Sequence, residues 1–351
     1  MLEKHILKLE NCFEFESGGK LDVLEIVYHT SPRPYTRKEK VVWVCHALTG
    51  NSNPEEWWPE MVGTGKLFDP EEYYIVCVNM LCSPYGSSCP ASINPFTGKS
   101  YLFDFPKTTV RDIVNANIII RKVLGINRID LMLGPSIGGF QALEWVVMEP
   151  EVTAQAVFLA TATRIPPYLT AFNESQRMAL MADPSFMRAK SVNGGKAGLS
   201  CARSIALISY RSFDSYNTTQ EEKSPDTLFA NRACTYQRHQ GEKLINRFDA
   251  YSYWYLTYAL DSQNIGRGRG GVDEALRRIK AKCAVIAIDS DGLFPPKFGK
   301  RVAKILKDGK YYEISSMYGH DGFLLEYEQL TKILSPILEE MKNEGQNKAL
   351  V

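Results

Sequence analysis

Apolar and polar positions along this chain follow two alternating rhythms. Short apolar or β-branched runs at Leu24–Tyr28, Val41–Cys45, Tyr73–Val78, Ile129–Leu133, Ala156–Ala160, Cys283–Ile288 and Lys310–Ile314 predict strands. Between them, Thr109–Leu124, Gly138–Met148 and Lys297–Ile305 carry apolar residues at helical spacing. Strands alternating with helices place a mostly parallel sheet between two helical layers. The predicted class is α/β.

The rhythm breaks over residues 165–271, where strand-like runs are lacking. Helices are predicted there at Tyr168–Met181, Gly195–Tyr210, Thr227–Gln240 and Phe248–Ala259, and sheet signals resume at Cys283. The expected organisation is a core of residues 1–164 and 272–351 with a helical insertion, 165–271, that caps a site, joins two copies, or does both. The tail after about Asn343 is expected to fray.

With 351 residues, 44% of them hydrophobic and 23% charged, the chain can bury a sizeable core. Its 41 Lys+Arg against 40 Asp+Glu leave a charge of +1, without the basic excess that nucleic-acid binding calls for. Apolar runs fall far short of the roughly 20 residues of a membrane-crossing helix. The N-terminus, beginning Met1-Leu2-Glu3-Lys4, has no apolar stretch of the secretory kind. A cytoplasmic protein without membrane or nucleic-acid partners is expected. Eight cysteines with no C-x-x-C pair read as reduced, mostly buried thiols. Cys82 and Cys89 lack the spacing and nearby histidines of a zinc site, so no metal is expected.

Two glycine-rich stretches fail as phosphate loops. Gly98-Lys99-Ser100 has Ile93 where the first glycine is needed. Gly266-Arg267-Gly268-Arg269-Gly270-Gly271 fits G-x-G-x-x-G but follows a helical segment rather than a strand. A flexible basic loop between insertion and core is the expectation.

The telling segment is Ile129–Phe140, a strand, then Gly134-Pro135-Ser136-Ile137-Gly138, then a helix. G-x-S-x-G in that setting is the nucleophile elbow of an α/β-hydrolase fold. Its turn is so tight that the residues two before and two after the serine must be small. It lifts the Ser136 hydroxyl to the carboxyl end of the sheet and to a helix N-terminus, where negative charge is favoured.

A serine nucleophile needs a base and an acid, which in this fold follow it in the order acid, then histidine. Of five histidines, only His320 lies after the last predicted strand, whereas His239 lies inside the insertion. The acid should follow Cys283–Ile288, where Asp289 and Asp291 are candidates, and Asp291 sits further into the loop. His320 would take the Ser136 proton while the acid sets the imidazole tautomer. Ile137 and the loop around Leu48 are the natural sources of oxyanion-holding N–H groups. His46, in that loop, is expected to shape it rather than act as a base.

These residues resemble the homoserine O-acetyltransferases, α/β-hydrolase-fold enzymes that acylate homoserine from acetyl-CoA. The resemblance covers nearly the whole chain, through His46–Gly50, Pro90–Gly98, Gly138–Trp145, Tyr210–Ser212, Arg247–Asp249, Tyr255–Thr257, Gly266–Gly271, Ser290–Pro295 and Gly319–Leu324. It implies that the triad acid is Asp291, that the insertion is a lid, and that the protein is a homodimer joined largely by lid helices. It also implies that Arg203 and Asp321 hold the two ends of the amino-acid acceptor. Tyr210, at i+7 from Arg203, shares its helix face. The co-substrate implied is acetyl-CoA, with no permanently bound cofactor. The elbow here reads Gly134-Pro135-Ser136-Ile137-Gly138-Gly139 where that family commonly has Gly-Gly-Ser-Met-Gly-Gly. Sequence alone leaves open succinyl-CoA as donor, serine as acceptor, or a serine esterase or thioesterase using the same triad.

Overall fold

The computed structural model describes residues 1–346. Eight strands form one sheet: β1 (Glu3–Leu9), β2 (Leu24–Thr30), β3 (Lys40–Val44), β4 (Tyr73–Val78), β5 (Ile129–Pro135), β6 (Thr153–Leu159), β7 (Lys282–Ile288) and β8 (Gly309–Ile314). Their spatial order is β1-β2-β4-β3-β5-β6-β7-β8. The β1–β2 and β2–β4 pairs are antiparallel, and every other neighbouring pair is parallel. Every residue of β4 and β5 is buried, as a strand covered on both faces requires. Alternation sorts the side chains of β3: Val41 and Trp43 join one core layer, Val42 and Val44 the other.

The sequence did not announce β1. Its polar Glu3, Lys4 and His5 leave a half-exposed edge strand held by antiparallel pairing to β2, and its weak apolar content hid it.

Helix α1 (Val110–Val123) starts at a capping box between Thr109 and Asp112. Helix α2 (Ile137–Met148) follows the Ser136 turn and is buried through Val147, with Trp145 edge-on to Trp43 at 4.9 Å between ring centroids. Five longer helices lie between β6 and β7: α3 (Pro167–Met181), α4 (Lys196–Tyr210), α5 (Phe213–Gln220), α6 (Arg232–Ile245) and α7 (Ala250–Asp261). Helix α6 starts later than the predicted Thr227, because residues 221–231 form a loop in which Glu222 accepts the Arg232 N–H at 2.7 Å. Helix α7 is set by its cap, with Asp249 accepting the Ser252 N–H at 2.8 Å. The short polar α5 carried too little periodicity to be foreseen.

The basic loop of residues 266–271 is not a flexible connector. Arg267 grips Glu16 through two hydrogen bonds of 2.7 and 2.8 Å. Arg269 and Arg111 converge on Glu144, whose side chain is 2% exposed. A buried carboxylate held by two guanidinium groups is costly to break, so this loop fastens the insertion to α1 and α2. The chain then continues through β7, α8 (Pro296–Ile305), β8 and α9 (Tyr327–Gln346). Helix α9 buries Leu330, Leu334, Leu338 and Met341 and runs past Asn343, where fraying was expected; the rest of that tail lies outside the described residues. Among the described residues no helix is long and apolar enough to cross a membrane.

Candidate active site

The turn between β5 and α2 forces Ser136 to φ 58° and ψ −122°, a conformation that costs a non-glycine residue energy and persists only where its surroundings hold it. Those surroundings are backbone. A Cβ on Gly138 would stand 2.1 Å from the Cys45 carbonyl oxygen, and one on Gly134 would stand 2.4 Å from the Gly138 carbonyl carbon. The small-residue pattern of the motif thus follows from the end of β3 pressing on the start of α2. Pro135, which has no N–H, closes β5, and the Ser136 N–H bonds the Leu159 carbonyl at 3.0 Å.

Three side chains from the carboxyl ends of separate strands meet. His320 Nε2 lies 2.9 Å from Ser136 Oγ, and His320 Nδ1 lies 2.7 Å from Asp291 Oδ2. The other oxygen of Asp291 accepts N–H groups from Leu293 (2.8 Å) and Phe294 (3.0 Å), which fixes its rotamer. Burial resists charging of the His320 imidazole, but the charge and hydrogen bond of Asp291, helped by Asp321, raise its pKa above the ordinary histidine value. Asp289 faces elsewhere, bonding the Ser316 N–H at 2.9 Å and the Ser315 hydroxyl at 2.7 Å.

The loop after β3 is shaped by His46, which is fully buried and has both ring nitrogens occupied. Nδ1–H donates to the Ala47 carbonyl at 2.9 Å, and Nε2 accepts the Met80 N–H at 3.0 Å. Burial pushes its pKa down to about 4, so it is neutral. The loop leaves the Leu48 N–H, like that of Ile137, without an acceptor among the described residues.

Ser136 and His320 open into a cavity of about 320 Å³ that Leu48, Arg203, Tyr210 and Asp321 also line. Arg203 has its guanidinium carbon 5.4 Å from the Tyr210 ring centroid, and no carboxylate pairs with it among the described residues. Tyr210 in turn lies 6.0 Å from the His320 ring. Asp321 is half-buried. Burial raises its pKa, against the opposing charges of Arg211, His320 and Arg203. Its Oδ2 stands 3.0 Å from Arg211 Nε, while Oδ1 has no partner among the described residues.

Sequence reasoning missed three cations of this cavity, Lys243 and the arginines Arg211 and Arg247. Arg247 donates to the Thr49 carbonyl at 2.7 Å and to the Tyr85 hydroxyl, bracing the Leu48 loop from the insertion side. Both arginines stand in runs quoted above for the resemblance, yet nothing local in either run names the distant partner. His239 is exposed on α6.

The chain matches the alpha/beta hydrolase fold family over residues 40–327. The homoserine O-acetyltransferase of Cyclobacterium marinum is 42% identical over 95% of this chain and 94% of its own length. That of Moorella thermoacetica is 39% identical over 94% of each chain. Among solved structures, the homoserine O-acetyltransferase of Bacillus anthracis superposes with a TM-score of 0.89 at 25% identity, covering 96% of this chain and 98% of that one. Esterase E22, at 22% identity and a TM-score of 0.86, shares the fold.

Proposed function

Because the chain belongs to the homoserine O-acetyltransferase family, we propose that it moves an acetyl group from acetyl-CoA to the hydroxyl of L-homoserine through an acyl-Ser136 intermediate. His320 Nε2 takes the Ser136 proton as Oγ attacks the thioester carbonyl. The oxyanion that forms is held by the Leu48 and Ile137 N–H groups. Collapse breaks the C–S bond, and CoA leaves with the proton from His320. The homoserine hydroxyl then gives its proton to His320 and attacks the ester, and Ser136 is regenerated with that proton.

The observation that carries transfer over hydrolysis is the pair of open charges beside the triad. Arg203 has no counter-ion among the described residues, and its planar guanidinium suits a carboxylate through two parallel hydrogen bonds. Asp321 Oδ1 is open to an ammonium, and its place next to His320 would bring the acceptor hydroxyl to the base. Tyr210 walls the space between them. Water has no use for such a pair. The same reading includes a lid over residues 165–271, a cytoplasmic enzyme, and a homodimer joined through that lid. Phe213, Leu228 and Phe229 are exposed on it, as surfaces that pair with a second copy are.

The test is release of free CoA from acetyl-CoA by purified protein, with homoserine, with serine and with neither. Homoserine-dependent release is expected. Equal release without any acceptor would replace this reading with a thioesterase.

A further inference from the structure

Insertion and core touch backbone to backbone at the loop that carries His320. Gly319, at φ +66°, leaves no room for a side chain: a Cβ there would stand 2.6 Å from the Ser212 nitrogen and 2.8 Å from the Tyr210 carbonyl oxygen. The Ser212 hydroxyl donates to the Met317 carbonyl. Between these contacts lies Arg211, just past the end of α4, with its guanidinium carbon 5.9 Å from the Tyr318 ring centroid. Its Nε approaches Asp321 Oδ2 at 3.0 Å, and both side chains are largely withdrawn from solvent. The carboxylate is paired by charge at one oxygen, without hydrogen-bond geometry at Nε, and its other oxygen has no partner among the described residues.

We propose that Arg211 is a positioning residue for the acceptor: by holding Asp321 Oδ2 it presents Oδ1 to the acceptor's ammonium group. This rests on Asp321 being the ammonium site, as proposed above. Burial favours the neutral carboxyl form of Asp321, and a neutral carboxyl cannot hold an ammonium. The groups facing it are Arg211 and Arg203 from the insertion and His320 and Asp291 from the core. The three cations oppose neutralisation, Arg211 most strongly, and Asp291 favours it. Arg211 therefore acts on Asp321 twice, through geometry and through charge. Removing it should let Asp321 neutralise at higher pH, so acceptor recognition should fail first on the acid side.

The experiment uses Arg211→Met and Arg211→Lys in the full chain. It follows Ser136 acetylation by acetyl-CoA alone, then discharge of the acetyl-enzyme by homoserine, each across pH. For Arg211→Met, acetylation should change little. The homoserine KM should rise at least about tenfold, and the acid limb of kcat/KM for homoserine should move up relative to the acetylation limb, which His320 sets. Arg211→Lys keeps the charge and should restore much of the pH limb but less of the KM, since a lysine cannot reproduce the fixed guanidinium geometry. Equal slowing of both steps with no displaced limb would make Arg211 merely structural and overturn the role. Wild-type protein that acetylates but ignores homoserine would overturn the ammonium site itself, and with it this role.

Discussion

The two sides of the cavity are built differently. On the core side, Ser136 is held by backbone: a strained φ of 58°, glycines with no room for a methyl, and two loops at the carboxyl ends of strands. On the insertion side, the backbone of Tyr210–Ser212 abuts Gly319, but the functional side chains of Arg203, Tyr210 and Arg211 are placed by looser contacts, 5.4 to 6.0 Å between rings and cations, and by one ion pair. Backbone fixes position with little tolerance, which bond-making chemistry needs. Side-chain contacts can be exchanged for a ligand's own charges, which recognition needs.

If this division is right, changes to Ser136, His320 and Asp291 should stop chemistry altogether, and changes to Arg203, Arg211 and the Asp321 that faces them should act on the acceptor alone. Ser136→Ala should show the largest effect, with no covalent acetyl-enzyme and no turnover above background. Asp291→Asn should follow, with kcat lowered by about 10⁴-fold by analogy with triad acids elsewhere, while Asp289→Asn should cost far less. Equal losses in those two would mean that the 2.7 Å contact to His320 is not the one that matters. Because Asp291 helps raise the pKa of His320, acetylation by the wild-type protein should fall as pH drops through a value above 6.5. That follows because only neutral His320 can accept the serine proton. An acid limb below 6.5 would contradict the charge coupling.

Arg203→Ala and Asp321→Asn should come next, each lowering kcat/KM for homoserine by about 2–5 kcal/mol while sparing acetylation. Slowed acetylation with an unchanged response to homoserine would erase the distinction between the two sides. The smallest effect should be on stability. Gly138→Ala, whose methyl would meet the Cys45 carbonyl oxygen at 2.1 Å, should lower unfolding free energy by about 1–3 kcal/mol in denaturant titrations. Arg203→Ala should leave the unfolding midpoint close to the wild type.

The same division explains what could be read from the sequence. The elbow was readable because steric exclusion leaves a local trace: small residues at Gly134 and Gly138, on a strand followed by a helix. Chain order then singled out His320, and the acid narrowed to Asp289 and Asp291 before any geometry was known. The helices of the insertion showed through their apolar spacing, apart from the short polar α5 and the start of α6. Long-range pairings left no such trace. Nothing in Tyr210-Arg211-Ser212 names Asp321 as a partner, and nothing in the 266–271 glycines reveals that Arg269 is tied to Glu144. The resemblance pointed to Arg203 and Asp321; only the fold set Arg211 between insertion and histidine loop.

The division of labour meets its most direct test in intact-protein mass spectrometry of the wild-type chain. Protein mixed with acetyl-CoA alone should gain one acetyl group, absent in Ser136→Ala, that persists in buffer and disappears when homoserine is added. Loss of the acetyl group at the same rate with and without homoserine would contradict it, because the insertion side would then have no hold on the acceptor.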